Sequence, residues 1–380
     1  MKKIYLDNGA TSFPKPKCVG EAVLNYINNL GTSINRGAYE TAYSVADTVF
    51  ETRELICELF NFDQPENVVF TKNITESLNL LIKGLLKEGD HVVVSSMEHN
   101  AVMRPLNSLN VKVSKTECNK YGDLDIEDFK SKLKKNTRAV IMTHASNVCG
   151  TILNLEEVGR ICQEKNIFFI VDTAQTAGFL DIDYKKLKAD AIAFTGHKSL
   201  LGPQGIGGFI INDRLVEIIP SLIDGGTGSL SEEERQPCYM PDKYEAGTPN
   251  IPGIFGLNAS IKYLKNTGLE NIRQKEYELL KLFLDEIKEI NGIAVVGKDT
   301  PQGRTGAVSL DFFNHDNGEI AYKLGNDYGI MTRSGMHCAP GAHKTLGTFP
   351  RGTVRFSFSH FNTKDEIYYA MESIKKIMEE

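Results

Sequence analysis

The apolar positions of this chain follow two rhythms. Between about residues 65 and 212, short apolar runs alternate with stretches whose apolar residues recur every three or four positions. The runs are Val68-Val69-Phe70-Thr71, His91-Val92-Val93-Val94-Ser95, 139–143, 167–171, 191–194 and 209–211. The run over 167–171 has the unbroken apolar character of a strand buried on both faces. The clearest helical stripe is Leu78, Leu81, Ile82, Leu85 and Leu86. Such alternation predicts right-handed crossovers and a mostly parallel sheet, the α/β class. Ahead of it the pattern predicts a strand over 4–6, a helix carrying Val19, Ala22, Val23, Tyr26 and Ile27, and a long amphipathic helix over 43–60.

Over 213–243 the rhythm lapses. Gly225-Gly226-Thr227-Gly228-Ser229 and the acidic run Glu232-Glu233-Glu234 mark a solvated surface loop. Two helices, 254–266 and 269–290, then lead to strands over 293–296, 307–313 and 353–358 and helices over 316–328 and 364–379. Helices on one face of a small antiparallel sheet make an α+β unit. The expected division is a large domain over 1–265 and a smaller C-terminal domain over 266–380.

Composition narrows the function. A chain of 380 residues, 41% apolar, is ample for such a core. With 43 basic and 49 acidic side chains and a net charge of -6 there is no basic tract, which argues against a nucleic-acid partner. No apolar run approaches the roughly 20 residues that span a bilayer, and the opening residues carry no signal-peptide core. Seven scattered cysteines without a C-x-x-C pair point to reduced thiols in the cytoplasm, with neither a disulfide framework nor a metal site.

The candidate chemistry lies where strands end. Asp172 closes one predicted strand, and Thr195-Gly196-His197-Lys198 follows the next. Open α/β sheets place their sites at such carboxyl ends. Taken singly, the aspartate reads as a turn cap and the lysine as a solvated side chain. Together they are the pair that pyridoxal phosphate needs, an amine for the Schiff base and an acid for the pyridine nitrogen. Lys72-Asn73-Ile74-Thr75-Glu76 joins a strand to a helix, with Asn73 and Glu76 at capping-box spacing. Free N–H groups at such a helix start form an anion site. Cys338 stands among Gly329, Gly335, Pro340 and Gly341, in a segment expected to be an accessible loop. Arg355 interrupts an apolar strand and so calls for an anionic partner.

At these residues the chain resembles the class V aminotransferase family, and within it the cysteine desulfurases. The matching segments are Val171-Asp172-x-Ala174-Gln175, Thr195-Gly196-His197-Lys198, Tyr244-Glu245-Ala246-Gly247-Thr248-Pro249-Asn250 and the Arg-x-Gly-x-His-Cys-Ala run that ends at Ala339. The likeness extends from Tyr5-Leu6-Asp7 to Asn362-Thr363. It implies a fold-type I pyridoxal-phosphate enzyme with a seven-stranded-type sheet. Lys198 would carry the cofactor, Asp172 hold its pyridine nitrogen and Gln175 bond its phenolic oxygen. His99 would stack on the ring and shuttle protons. Thr75 would hold the phosphate beside Asn73 and Ile74, which stand where relatives often have small residues. Thr195 and His197 join the cofactor set. Asn147 would contact cofactor and substrate carboxylate, Arg355 would clamp that carboxylate, and Asn35 and Arg36 would lie at the substrate. Thr248 would reach the phosphate of a second subunit, which implies a homodimer.

Cys338 falls on the persulfide-forming cysteine. Only 17 positions separate it from Arg355, a spacing similar to that of the sulfur-assimilation branch rather than the longer loop of the iron–sulfur-assembly branch. The implied reaction takes L-cysteine to L-alanine and hands the sulfur to an acceptor protein, chemistry that also supplies iron–sulfur cluster assembly. Asn35 departs from the family, where histidine is common, and one extra residue separates Lys198 from Pro203. The rival readings are selenocysteine lyase, which shares all these residues, an aminotransferase, which needs no Cys338, and a cofactor-binding scaffold, which needs neither the lysine–aspartate pair nor the thiol.

Overall fold

The apolar runs assemble into one seven-stranded sheet in a computed structural model that describes residues 3–34 and 37–380. Asn35 and Arg36 lie outside the described residues. The strands lie in the order Val68–Thr71, Gly207–Ile211, Ala191–Thr195, Phe168–Asp172, Thr137–Thr143, His91–Ser95 and Lys112–Thr116. Gly207–Ile211 runs antiparallel to both neighbours, and the other pairs are parallel. The mostly parallel α/β sheet read from the alternation is therefore present.

The central strands Phe168–Asp172 and Ala191–Thr195 are apolar up to their last residue because helices cover both faces. Phe168–Asp172, Ala191–Thr195 and Gly207–Ile211 are buried throughout. Successive side chains point to opposite faces. Phe169, Val171, Ile192, Phe194 and Ile210 pack into one core with helices Glu40–Phe60 and Ile251–Thr267. Phe168, Ile170, Ala191, Ala193, Phe209 and Ile211 pack into another with helices Ile74–Leu85 and Asn100–Ser108. The edge strand Lys112–Thr116 exposes Lys112 and Lys115, a charge pattern that discourages pairing with another chain. Over 217–250 the chain forms only turns and bends.

Helix Ile251–Thr267 passes to helix Leu269–Ile287 through Gly268, whose φ of 83° suits glycine. A second sheet follows, antiparallel, in the order Arg333–Gly335, Thr353–Ser357, Ala307–Phe312 and Ile293–Val296. Val354 and Phe356 enter a third core with Phe283, Leu284, Ile320 and Ile374. Arg355, between them in sequence, points the other way and donates to the carbonyl of Asn147, in the turn that follows the large-sheet strand Thr137–Thr143. The two ends of the chain meet at this second sheet. Ile4–Tyr5 pairs in parallel with Ile330–Met331, Ile4 and Leu6 lie in the third core, and Asp7 bridges to Ser357. Thr363 and Glu366 close a reciprocal capping box on the last helix, Lys364–Glu379.

One glycine couples the sheet to the lysine. Gly178 has φ of +86°, and a Cβ there would lie 2.4 Å from the Ser199 carbonyl oxygen. A side chain would meet both a backbone penalty and backbone atoms that have no room to retreat. Gly178→Ala should lower stability by about 1–3 kcal/mol. Urea denaturation followed by circular dichroism checks this, and an unchanged midpoint would contradict the close approach.

Candidate active site

The chemistry-bearing residues gather at the carboxyl ends of the large-sheet strands, with Arg355 reaching in from the second sheet. Asp172 is the last residue of its strand and is 3% exposed. Its Oδ1 accepts from the Ala174 N–H at 2.8 Å. Burial pushes its carboxyl up, while that N–H and Lys198 pull it back. Lys198 follows the neighbouring strand. Burial lowers its ammonium to about 8, Arg355 and Arg333 push the same way, and Asp172 and Asp7 oppose them.

The backbone ahead of Lys198 is held by the N-terminal segment. The His197 carbonyl accepts from the Ser12 N–H at 3.0 Å, the Thr11 hydroxyl at 3.1 Å and the Lys15 ammonium at 2.8 Å. Gln175 is buried beside this segment and donates its amide to the Gly9 carbonyl at 3.1 Å.

His99 caps helix Asn100–Ser108, its Nδ1 accepting from the Ala101 N–H at 3.0 Å. With Nδ1 engaged as an acceptor, the neutral ring carries its proton on Nε2. Burial holds His99 down at about 4, aided by Lys198, Arg104 and Arg355. Beside it Glu98, which motif reading passed over, is 2% exposed. It accepts from the Thr143 N–H at 3.0 Å and from Ser95, so it stitches two strand ends together. Burial pushes its carboxyl up to about 8.

The helix start at Asn73 is a true cap, its Oδ1 accepting from the Glu76 N–H at 3.0 Å. Glu76 reaches back to the Lys72 N–H at 2.6 Å, one residue before the position a reciprocal capping box would use. Thr75 is exposed on the first turn and Ile74 is buried. Close by, a Cβ on Gly207 would lie 3.0 Å from the Asn73 Cα. The buried polar atoms without a hydrogen-bond partner among the described residues include Thr195 Oγ1, His197 Nδ1 and Arg355 Nε. A phosphorylated pyridine aldehyde fits this donor set. Thr195, His197 and the helix start suit its phosphate, Asp172 its ring nitrogen and Lys198 its carbonyl carbon.

Arg355 is 2% exposed. Its Nη2 donates to Asp7 Oδ1 at 3.0 Å and its Nη1 to the Asn147 carbonyl at 2.9 Å. Asn147 in turn donates Nδ2 to the His337 carbonyl at 2.6 Å. Cys338 is exposed, and its carbonyl accepts from the Asn100 N–H at 2.8 Å, next to His99. His337 and Cys338 have φ of 47° and 57°, left-handed values that non-glycine residues adopt under constraint. The segment expected to be a loop begins with a short strand, Arg333–Gly335, and continues into helix Pro340–Thr345. The fold thus brings Asp172, Lys198, Gln175, His99, Asn147, Arg355 and the Cys338 segment together. Thr248 is exposed in the wall of a recess that also holds Lys72 and Glu76. Cys149, buried in a small core with Ala339 and Ala342, offers no accessible thiol.

The family model for class-V aminotransferases matches residues 4–369. A probable cysteine desulfurase of Pyrococcus abyssi is 36% identical over 376 residues, spanning 96% of this chain and 91% of that protein. Another, from Methanothermobacter thermautotrophicus, is 34% identical over 381 residues, 98% of this chain and 94% of that one. Among solved structures, the apo cysteine desulfurase of Thermococcus onnurineus has a TM-score of 0.92 at 33% identity, over 99% of this chain and 95% of that one.

The lowered lysine has a measurable sign. Between about pH 8 and the ordinary lysine value the unfolded chain keeps this proton and the folded chain has lost it, so the group's contribution to stability rises with pH across that window. Without cofactor, Lys198 should react with an amine-selective reagent at a rate that is half-maximal near pH 8, below the roughly 10.4 of an exposed lysine. Peptide mapping of the labelled protein across pH checks it.

Proposed function

The chain belongs to the class-V aminotransferase family, and from that premise we infer that it is a pyridoxal-phosphate-dependent cysteine desulfurase. It takes L-cysteine to L-alanine and passes the sulfur on as a persulfide of Cys338. One observation carries the reading. Asp172 and Lys198 meet at adjacent strand ends, within the electrostatic reach of the carboxylate-binding Arg355, and an exposed cysteine is tied to the same cluster.

Bound at Lys198, the cofactor supplies a carbonyl carbon for amines and a sink for the electron pair left when Cα loses its proton. The protein's own groups do the rest. Arg355 takes the substrate carboxylate with donors that include the unpartnered Nε. Lys198, neutral above about pH 8, moves the proton from Cα. Asp172 holds the proton on the ring nitrogen. His99 presents Nε2–H to the reacting centre. The Cys338 thiolate attacks the substrate Sγ. The Cβ–Sγ bond breaks, its electron pair stays with Cβ, and Cβ is later protonated to alanine. The guanidinium of Arg333 lies close enough to Cys338 to interact with it electrostatically.

The remaining readings complete the proposal. Thr75, Asn73, Ile74, Thr195 and His197 hold the phosphate, and Gln175 and Asn147 hold the phenolic side. Asn35 and Arg36 are assigned to the substrate side on the family resemblance alone. Thr248 is exposed and reaches the phosphate site of a second copy, making a homodimer. Residues 1–265 form the cofactor domain and 266–380 the smaller domain, whose core borrows Ile4 and Leu6. All seven cysteines are free, in keeping with a cytoplasmic site, and a sulfur-acceptor protein takes the persulfide sulfur.

Cys338→Ala should keep the yellow cofactor, trapped by borohydride on Lys198, while sulfide and alanine production from L-cysteine fall to near background. Wild-type sulfide release by the variant would remove the reading, and persistent selenide release from selenocysteine would favour a selenocysteine lyase. Thr248→Ala should weaken cofactor binding by about 1.5–3 kcal/mol, the value of a hydrogen bond to a charged group. Titration of cofactor into the apoprotein, with sedimentation to establish the dimer, checks that.

A further inference from the structure

Arg333 and Arg355 stand directly opposite each other on neighbouring antiparallel strands. Like charges so placed repel. One carboxylate answers both. Asp7 Oδ1 accepts from Arg355 Nη2 at 3.0 Å, and Asp7 Oδ2 accepts from Arg333 Nη2 at 3.0 Å and Nε at 3.1 Å. Among the described residues, these are the ion pairs that either arginine makes. Asp7 is itself held firmly. Ile4–Tyr5 before it is paired in a sheet, the Gly9 N–H donates to the Ser357 hydroxyl at 2.7 Å, and the Asn8 amide donates to the Ser357 carbonyl at 3.0 Å.

Arg333 opens the strand that runs into the thiol segment, five residues before Cys338. The far side of that segment is held from the large sheet, by the Asn100 N–H on the Cys338 carbonyl and the Asn147 amide on the His337 carbonyl. Between these anchors His337 and Cys338 keep left-handed backbone. Such a conformation persists only while its surroundings over-determine it. A chain held at one end would relax.

We propose that Asp7 is a positioning residue for the Cys338 thiol. By sharing one carboxylate between Arg355 and Arg333, it locks the strand that leads into the thiol segment to the group that binds the substrate carboxylate, so that thiol and substrate are held in one frame. The kinetic part of this proposal rests on the desulfurase reading; the structural part does not.

Hydrogen exchange of the holoenzyme tests it. Asp7→Asn removes the charge and Arg333→Lys keeps the charge but loses the fork. In each, amide exchange over 333–340 should rise about tenfold or more while strand Phe168–Asp172 keeps its protection, and the double variant should rise no further, because both changes cut the same tether. Arg333→Lys, which leaves the Asp7–Arg355 pair in place, should also lower kcat for sulfide release about tenfold with KM for L-cysteine unchanged. Unchanged exchange over 333–340 in both single variants, an equal rise in Phe168–Asp172, additive rises in the double variant, or a loss confined to KM would each overturn the proposal. The exchange result needs no substrate, so it stands even if the wild type releases no sulfide, the outcome that would instead remove the desulfurase reading.

Discussion

Arg355 is a cation held out of water, and much of the architecture answers that constraint. A buried guanidinium without an anion costs several kcal/mol. Its own strand cannot supply one, because the residues beside it, Val354 and Phe356, belong to an apolar core. The anion comes instead from Asp7, 348 positions away, and the first strand of the chain is fastened to the second sheet so that Asp7 can reach. One carboxylate set against two guanidiniums leaves a positive charge in excess. A chamber with such a field favours a carboxylate-bearing guest.

The same exclusion of water sets the proton states of the chamber. Burial drives every ionisable group toward its neutral form. The amine of Lys198 and the ring of His99 become easier to deprotonate, while Asp172 and Glu98 hold protons more tightly. Specific contacts then distinguish groups that burial treats alike. Asp172 faces Lys198 and keeps an oxygen for a ligand, whereas Glu98 accepts from two strand ends and serves as a structural clasp.

The large sheet is legible because its central strands carry unbroken apolar runs, the pattern of two-sided burial. The edge strand Lys112–Thr116 was not, since an exposed edge carries lysines and no run. Lys198, Asp172 and Cys338 were readable from local motifs, each a few residues long. Asp7 and Arg333 lay within quoted segments, yet their partnership could not be read there. It is made across 326 residues of sequence by charge alone, and no periodicity records such a contact. Glu98 was hidden for another reason: a glutamate beside a motif histidine looks like surface until its strand ends close over it. The short strand Arg333–Gly335 reads as loop in the sequence because three residues show no period.

The meeting of the chain ends has a consequence for how the molecule comes into being. Residues 4–12, which fasten to the second sheet and support Lys198 and Arg355, emerge from the ribosome long before their partners at Ile330–Met331 and Ser357. The large sheet and its covering helices involve pairings that all lie within the first 267 residues and can settle while synthesis continues. The chamber has no such freedom. Its N-terminal wall must wait unpaired until the C-terminal strands exist, and closing so long a loop is slow. A nascent chain that stops short of Ser357 is therefore chemically silent, carrying every residue of the lysine–aspartate pair without a cavity in which to use it.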